Sequence, residues 1–417
     1  MSLADIFLDV TRLVSRAWTK RRSTGIDRVC EAYCRHFQSR ARAVVQHRGI
    51  VRVLDQGNSR KLFSMLLEPG ENIRLEVLRF ASLILPLAPS RIEGNGALYI
   101  NTSHTDFDLP SHHRWVEECN LRAVYFLHDL IPLTHPRLTS AHAVKRHLGR
   151  VRGAIWHGAG VIVNTRATEM ELRSFARKRA LDVPPVVVAP LAGGQICQVP
   201  TQEPADAVIA LDAAHDDHLA LSDQTPYFVC LGTIERRKNY RMLLRVWGEL
   251  AKDFGKGCPK LVIIGQEGRE AREIFDAYYA NRDLQDLVTF RTNATDAEAA
   301  RLIKGARALL MPSHAEGYGL PVIEALQMGV PVIANDIPSF REIGQGIAFL
   351  LNINDEAGWK RAIGRFAFAD DERDRQLEMM GRFEPPTWTS HFAILDPWLD
   401  RLKTVPQAQN ERIEVEC

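Results

Sequence analysis

The sequence has no long hydrophobic run, no paired cysteine motif, no large net charge and neither of the common glycine-rich nucleotide fingerprints. Each absence removes a class of protein. The most apolar window, Val77 to Leu87, contains Arg79 and Pro86 and falls far short of the roughly 20 residues of a membrane span. Asp5 and Asp9 stand where a secretory leader would have a basic start and an apolar core, so no signal peptide is expected. The seven cysteines are odd in number and scattered, without a CxxC pair. Buried thiols of a reducing cytoplasm fit them better than a disulfide framework or a zinc site. Fifty-three Lys and Arg against 51 Asp and Glu leave a formal charge of +2, which suggests no nucleic-acid partner. Residues 1–60 nevertheless carry a local +7, so the rest of the chain is net acidic.

What is present is an alternation of short apolar runs and amphipathic stretches over 417 residues, the pattern of α/β architecture with mainly parallel sheets. Strands are expected at Ile6–Val10, Val44–His47, Leu98–Ile100, Val124–Leu127, Val161–Asn164 and Val186–Ala189. A second series falls at Tyr227–Leu231, Leu261–Ile264, Val288–Phe290, Ala308–Met311 and Val330–Ile333. Ile26, Val29, Cys30, Tyr33, Cys34 and Phe37 share one helical stripe, and Leu243, Val246, Trp247 and Leu250 another. Between the two series, 198–224 lacks any sustained period and reads as an interdomain linker. The organisation expected is a domain at 1–197, the linker, a domain at 225–385, a helix at 386–402 that breaks near Pro397, and a polar tail at 403–417. Two such halves leave a cleft, and ligands in these sheets bind beyond the carboxyl ends of the strands.

Two loops that follow strands carry the most chemistry. Met311-Pro-Ser-His-Ala-Glu-Gly-Tyr-Gly-Leu-Pro places Gly317 and Gly319 in a turn and Pro321 at a helix start. The glycines let backbone approach a ligand, and the free amides of the helix start favour an anion such as a diphosphate. Glu316 and Glu324 bracket the loop; carboxylates suit sugar and ribose hydroxyls rather than phosphate. The second loop, Gly232-Thr-Ile-Glu-Arg-Arg-Lys-Asn239, carries Arg236, Arg237 and Lys238, which can compensate phosphate charge.

These two loops resemble the donor-site motifs of the family 4 retaining glycosyltransferases, in order along about residues 1–400 and most specifically from Tyr227 to Ile343. The resemblance implies the GT-B fold, in which two Rossmann-like domains face a central cleft and a C-terminal helix crosses back to the first. It assigns Glu316 to the transferred sugar, Glu324 to the ribose, and Arg237 and Lys238 to the phosphates. Gly232, Thr233, Gly317, Tyr318, Gly319 and Leu320 complete the donor site. Many members have Gly-Arg where this chain has Gly232-Thr233. The Gly-Thr form resembles a subgroup rich in bacterial surface-polysaccharide enzymes, often mannosyltransferases using GDP-mannose.

In the first half, His128-Asp-Leu-Ile-Pro follows a strand and is similar to the family's acceptor-domain segment whose histidine contacts the donor sugar. That assigns His128, with Asp129 as its neighbour. Gly25, in the loop after the first strand, and Asn164 and Thr165, at another strand end, are the acceptor-side candidates. Asp106-Phe-Asp108 matches a metal-binding DxD in form, but a solvated loop is the expectation there. His128, His135, His142 and His147 lack helical ligand spacing.

The resemblance implies hexose transfer with retention, mannose from GDP-mannose favoured, to a lipid-linked or polysaccharide acceptor in cell-surface glycan synthesis. A UDP-hexose-dependent transferase and a noncatalytic nucleotide-sugar-binding assembly subunit are the alternatives. A nonhydrolysing sugar-nucleotide epimerase is disfavoured by the cationic loop beside two glutamates. No metal or other cofactor is implied. Arg12, Arg16, Lys20, Arg21, Arg22 and Arg28 suggest that residues 12–28 meet an anionic membrane, giving a cytoplasmic enzyme peripheral to the inner face of that membrane.

Overall fold

A computed structural model describes residues 5–19, 24–194 and 225–404. The residues expected to form the linker, most of those expected in the polar tail, and Lys20, Arg21 and Arg22 lie outside the described residues. The chain divides into two compact units: Met1–Leu191 with Thr387–Cys417, and Ala192–Pro386.

The first unit is built on a seven-stranded sheet of β1 (Ile6–Asp9), β2 (Ala41–His47), β3 (Ile50–Val53), β4 (Leu98–Asn101), β5 (Arg122–Leu127), β6 (Gly158–Val163) and β7 (Val186–Val188). Their order is β3-β2-β1-β4-β5-β6-β7. Every pair is parallel except β2 with β3, which returns through a tight turn at Arg48 and Gly49, both with positive φ. The parallel strands read as apolar runs because helices cover both faces. The stripe seen in the sequence lies on the helix Gly25–Phe37, which buries Val29, Cys30, Tyr33, Cys34 and Phe37. All five cysteines among the described residues are buried free thiols.

The helix Trp388–Thr404 belongs to this unit and runs unbroken through Pro397, contrary to the break expected there. A proline inside a helix removes one backbone bond and costs about 3 kcal/mol. Contacts on both sides of it offset that cost. His391 is wholly buried, bonding Tyr33 Oη at 2.9 Å and the Pro190 carbonyl at 3.0 Å, while Asp396 holds His36 and Arg40. Beyond the proline, Trp398, Leu399 and Leu402 are buried, and each such side chain contributes about 1.5–3 kcal/mol.

The second unit has six parallel strands: β8 (Tyr227–Leu231), β9 (Lys260–Ile264), β10 (Val288–Arg291), β11 (Leu309–Met311), β12 (Val332–Asn335) and β13 (Phe349–Leu351). The order is β10-β9-β8-β11-β12-β13. Sequence order therefore reverses between β8 and β11, just as it does between β1 and β4 in the first unit. In open α/β sheets ligands bind outside the carboxyl ends of the strands at such a switch point. The loops after β8 and β11 are the two that stood out in the sequence.

Candidate functional site

The loop after β8 is shaped by close backbone packing. Gly232, at φ 149°, donates its N–H to the Ile264 carbonyl, and Ile234 donates to Gln266. A Cβ on Gly232 would lie 2.9 Å from Lys238 Cε, so the missing side chain is the space the lysine occupies. A Cβ on Gly265, in the loop after β9, would lie 1.9 Å from the Gly232 oxygen. Gly265 thus lets the two loops touch. Tyr240 Oη donates to the Gly232 carbonyl at 2.9 Å and ties the loop to the helix Tyr240–Phe254. Arg236, Arg237 and Lys238 form a single 3-10 turn closed by Asn239 in the left-handed region.

That turn separates the three cations. Arg236 points to exposed Glu273, away from the other two. Lys238 Nζ lies 2.5 Å from Glu316 Oε1, and Arg237 Nη1 lies 2.8 Å from Oε2 and 2.8 Å from the Ala315 carbonyl. The Arg237 carbonyl in turn accepts from His314 N at 2.9 Å. Glu235 holds the far side of the Arg237 guanidinium, at 3.0 Å from Nε and 2.7 Å from Nη2. The side chains of Glu316 and Lys238 are only 9% and 10% exposed. Burial alone would raise the Glu316 pKa, but the charges of Arg237 and Lys238 outweigh it and hold the carboxyl at about 2. Glu316 is therefore ionised throughout the physiological range and shared between two cations.

The rest of the β11 loop follows from its glycines. Gly319, at φ 108°, precedes the helix Leu320–Gln327, and a Cβ there would lie 2.6 Å from the Phe340 ring. Pro321 sits in the first turn, as expected. Tyr318 is buried and so is Glu324, inside the helix. Gly317 and Leu320 complete the turn around Glu316. Asn335, ending β12, donates to the Ser313 carbonyl at 2.9 Å and braces the loop from beneath. Thr233, exposed between Gly232 and Ile234, lies beside Gly268: a Cβ on Gly268 would be 3.0 Å from Thr233 Cγ2.

The first unit's strand ends are different in kind. His128 is buried and stacked on Phe126, with ring centroids 4.3 Å apart. Its Nε2 lies 2.8 Å from the Thr102 carbonyl, which only accepts, so Nε2 carries the proton and Nδ1 is the acceptor. Burial lowers its pKa to about 4, leaving the ring neutral at pH 7. His104 and His147 lie around it, His104 with its ring centroid 5.1 Å from that of His128 and 5.6 Å from that of His147. Asn164 Nδ2 donates to the His128 carbonyl at 3.0 Å. Thr165 is the N-cap of the helix Arg166–Arg177, accepting from Thr168 N. Asp129 accepts from Ile131 N at 3.0 Å. These four residues therefore meet at the ends of β5 and β6, with the side chains of Asn164, Thr165 and Asp129 engaged in holding their loops.

Gly25 is the first, exposed residue of its helix, behind a capping box in which the backbone N–H and hydroxyl of Thr24 bond Asp27 at 2.7 and 2.8 Å. Asp27 is buried and also receives Arg12 and Arg16. Two of the six cations expected to face a membrane are thus committed to an internal carboxylate. The Asp106-Phe-Asp108 loop is not solvated as expected. Asp108 takes a bidentate bond from Arg146 at 2.9 and 3.0 Å, and Phe107 is fully buried.

Three residues escaped the sequence reading. Glu235 braces Arg237, and only its place two residues before the arginine hinted at it. Gly265 follows β9 directly, the same signal that singled out Gly232. Asp9, ending β1, is buried against Gln46, Tyr99 and Thr11, and burial raises its carboxyl to about 6. No described helix is long and apolar enough to cross a membrane.

Residues 213–378 match the family model of glycosyl transferases group 1. The chain is 30% identical over 234 residues to the serotype-specific mannosyltransferase WbdA of Escherichia coli, a match covering 54% of this chain and 27% of WbdA. It is 28% identical over 181 residues to the O-antigen chain mannosyltransferase RfbU of Salmonella typhimurium, covering 43% and 49%. The chain thus spans about a quarter of the length of the first relative and about half of the second. Among solved structures, Anabaena HepE in complex with UDP and glucose aligns with a TM-score of 0.62 at 13% identity, over 95% of this chain and 99% of its own. Sucrose-phosphate synthase of Thermosynechococcus elongatus aligns at 0.58 and 16%, over 95% and 98%. Residues 213–378 are a glycosyltransferase group 1 domain, homologous to O-antigen mannosyltransferases, in a chain with the GT-B fold of its structural neighbours.

Proposed function

We propose that the chain moves a hexose, mannose from GDP-mannose by preference, from a nucleotide-sugar donor to a hydroxyl of a lipid-linked or polysaccharide acceptor, with retention of configuration, in cell-surface glycan synthesis. The observation that carries this reading is the convergence of Lys238 and Arg237 on Glu316 at the switch point of the second sheet.

The chemistry follows from charge. Glu235 and Glu316 balance the two cations, so an arriving diphosphate adds negative charge at a site that is neutral without it. Lys238 and Arg237 then divide themselves between the phosphate oxygens and Glu316. As the glycosidic bond breaks, charge grows on the diphosphate, and buried, fixed cations stabilise it more than water does. Glu316, ionised and aimed by the same cations, accepts hydrogen bonds from sugar hydroxyls. Glu324 serves the ribose, the glycines bring backbone close to the phosphates, and the neutral His128 ring offers Nδ1 to a sugar hydroxyl. Gly25, Asn164 and Thr165 shape the acceptor side. A double-displacement glycosidase needs a carboxylate nucleophile about 5 Å from its acid. Glu316, held by two cations, is poorly suited to that job, so front-face attack with the diphosphate accepting the acceptor proton is preferred. The reaction needs no metal in this reading, because lysine and arginine supply the positive charge.

The test is transfer from GDP-mannose and from UDP-hexoses to an acceptor extract, reading nucleotide release, product anomer and the effect of a chelator. Release of GDP with an α-linked mannosyl product that resists the chelator supports the reading. Preference for a UDP-sugar shifts the donor, and a β-linked product overturns retention. Nucleotide binding without acceptor-dependent release assigns the chain instead to noncatalytic assembly.

A further inference from the structure

The most apolar window of the sequence does not end up in the core. It forms the helix Ile73–Leu83 and the turn Leu85–Leu87, between β3 and β4. Val77 and Phe80 face inward and are buried. Leu75, Leu78, Leu83 and Leu87 are 53%, 40%, 65% and 83% exposed. They are four of the twelve large apolar side chains exposed among the described residues, gathered within thirteen positions. Single exposed leucines are ordinary, but four gathered in one short segment mark an interaction surface.

We propose that this face docks on the surface of a lipid bilayer. The charges beside it suit that occupant. Of the three arginines in residues 73–91, Arg91 pairs with Glu118 at 3.1 Å, which leaves Arg74 and Arg79 beside one glutamate, Glu76. Arg79 is exposed on the leucine side of the helix, and Arg74 lies over the exposed Trp18 ring at 6.0 Å. Trp18 lies in the last turn of the helix Thr11–Thr19, which packs along this one. Leucines flanked by arginines and an exposed tryptophan have the amphipathic character that lies in a headgroup layer, with apolar side chains among the acyl chains and guanidinium groups at the phosphates. Of the cations expected from sequence to meet a membrane, Arg12 and Arg16 are held by Asp27, whereas the four leucines keep 40% to 83% of their surface exposed. Its purpose rests on the reading of a lipid-linked acceptor, which a docked enzyme would meet in two dimensions rather than three.

The test is sedimentation of the full chain with vesicles of phosphatidylcholine alone, and of phosphatidylcholine with one lipid in three phosphatidylglycerol. Neither donor nor acceptor is added, so failure to bind and failure to transfer are read separately. The wild type is expected to sediment with both vesicles and more tightly with the anionic one. The combined L75Q, L78Q and L83Q variant, with unchanged melting, loses binding to both by roughly ten-fold or more. The R74Q and R79Q pair loses only the gain from phosphatidylglycerol. If the triple variant does not melt cooperatively, L87Q alone, at the most exposed leucine, is expected to weaken binding about three-fold. A wild type that leaves both vesicles in the supernatant overturns the proposal, as does a folded leucine variant that sediments like wild type. A wild-type dimer that these substitutions split, with vesicle binding unchanged, gives the face to a second copy of the chain instead.

Discussion

The two units place different chemistry at the same topological position. Where strand order reverses in the first sheet, the ends of β1, β4 and β5 hold Asp9, Asn101 and His128 in a buried network of hydrogen bonds dominated by neutral groups. Where it reverses in the second, the loops after β8 and β11 hold two cations, Arg237 and Lys238, between two carboxylates, Glu235 and Glu316. Burial pushes the first set toward neutrality: His128 falls to about 4 and Asp9 rises to about 6. In the second set the partner charges outweigh burial, and Glu316 falls to about 2. Neutral groups suit hydroxyl recognition, and fixed charges suit phosphate. The same strand-end position thus carries neutral groups in one unit and fixed charges in the other, the division of labour that the proposed transfer would use.

The sharpest way to break this contrast is to remove a charge from the second site. Lys238→Ala is expected to lower kcat by about 10²–10³-fold, the usual cost of losing one donor to a developing charge. His128→Ala, which leaves phosphate binding intact, should cost less. Steady-state kinetics on both variants checks the order, and equal losses would erase the distinction drawn between the sites. Gly232→Ala crowds Lys238 without removing it. Nucleoside diphosphate affinity is expected to drop about ten-fold by calorimetry, with a stability loss of about 1–3 kcal/mol from the strained φ.

Acidification separates the units by stability. His128 binds its proton near pH 4 when folded but near 6.5 when unfolded, so stability is lost as pH falls from about 6.5 toward 4. Burial lowers His104, His112, His113 and His391 in the same unit as well. Asp9 and Glu171 work the other way: burial raises them to about 6 and about 7, so each takes up its proton sooner when folded. Glu316 keeps its contribution down to about pH 4.5 and loses it only toward 2. Between pH 7 and 5 the first unit should lose of order 5 °C in melting temperature, with amide exchange speeding up in β5 more than in β11. Uniform acceleration in both strands would contradict the assignment. The smallest effect is expected from Glu235→Gln. Arg237 stays charged but loses its brace, for a two- to ten-fold fall in kcat/KM with unchanged melting.

Much of this was legible in the sequence because apolar runs and loop chemistry report on it directly. Tyr227–Leu231 begins and ends where its pattern does. Val330–Ile333 was placed two residues early, since the apolar run opens at Val330 but Pro331 has no N–H to give a ladder, and β12 starts at Val332. β3 and β13 were missed. Ile50–Val53 is a hairpin return whose turn, Arg48-Gly49, lacks the usual asparagine-glycine signal, and Phe349–Leu351 is only three residues long. The donor loops were found, but not their mutual pairing. Nothing in the spacing of Lys238 and Glu316, 78 residues apart, says that one neutralises the other. That information lies in the parallel pairing of β8 with β11, which is long-range. The leucine face is the opposite case: the apolar window was conspicuous in sequence, and only solvent exposure showed that it faces outward.

The helix Trp388–Thr404 sets an order of assembly. The second unit is one continuous stretch, Ala192–Pro386, whereas the first is completed only by residues from Thr387 on. During synthesis the stretch that starts first must wait for the last: Tyr33 finds His391, and His36 finds Asp396, only after the whole intervening unit has left the ribosome. The first unit is therefore completed last, and until then the nascent chain lacks the His391 and Phe392 rings that pack on Tyr33 and Phe37.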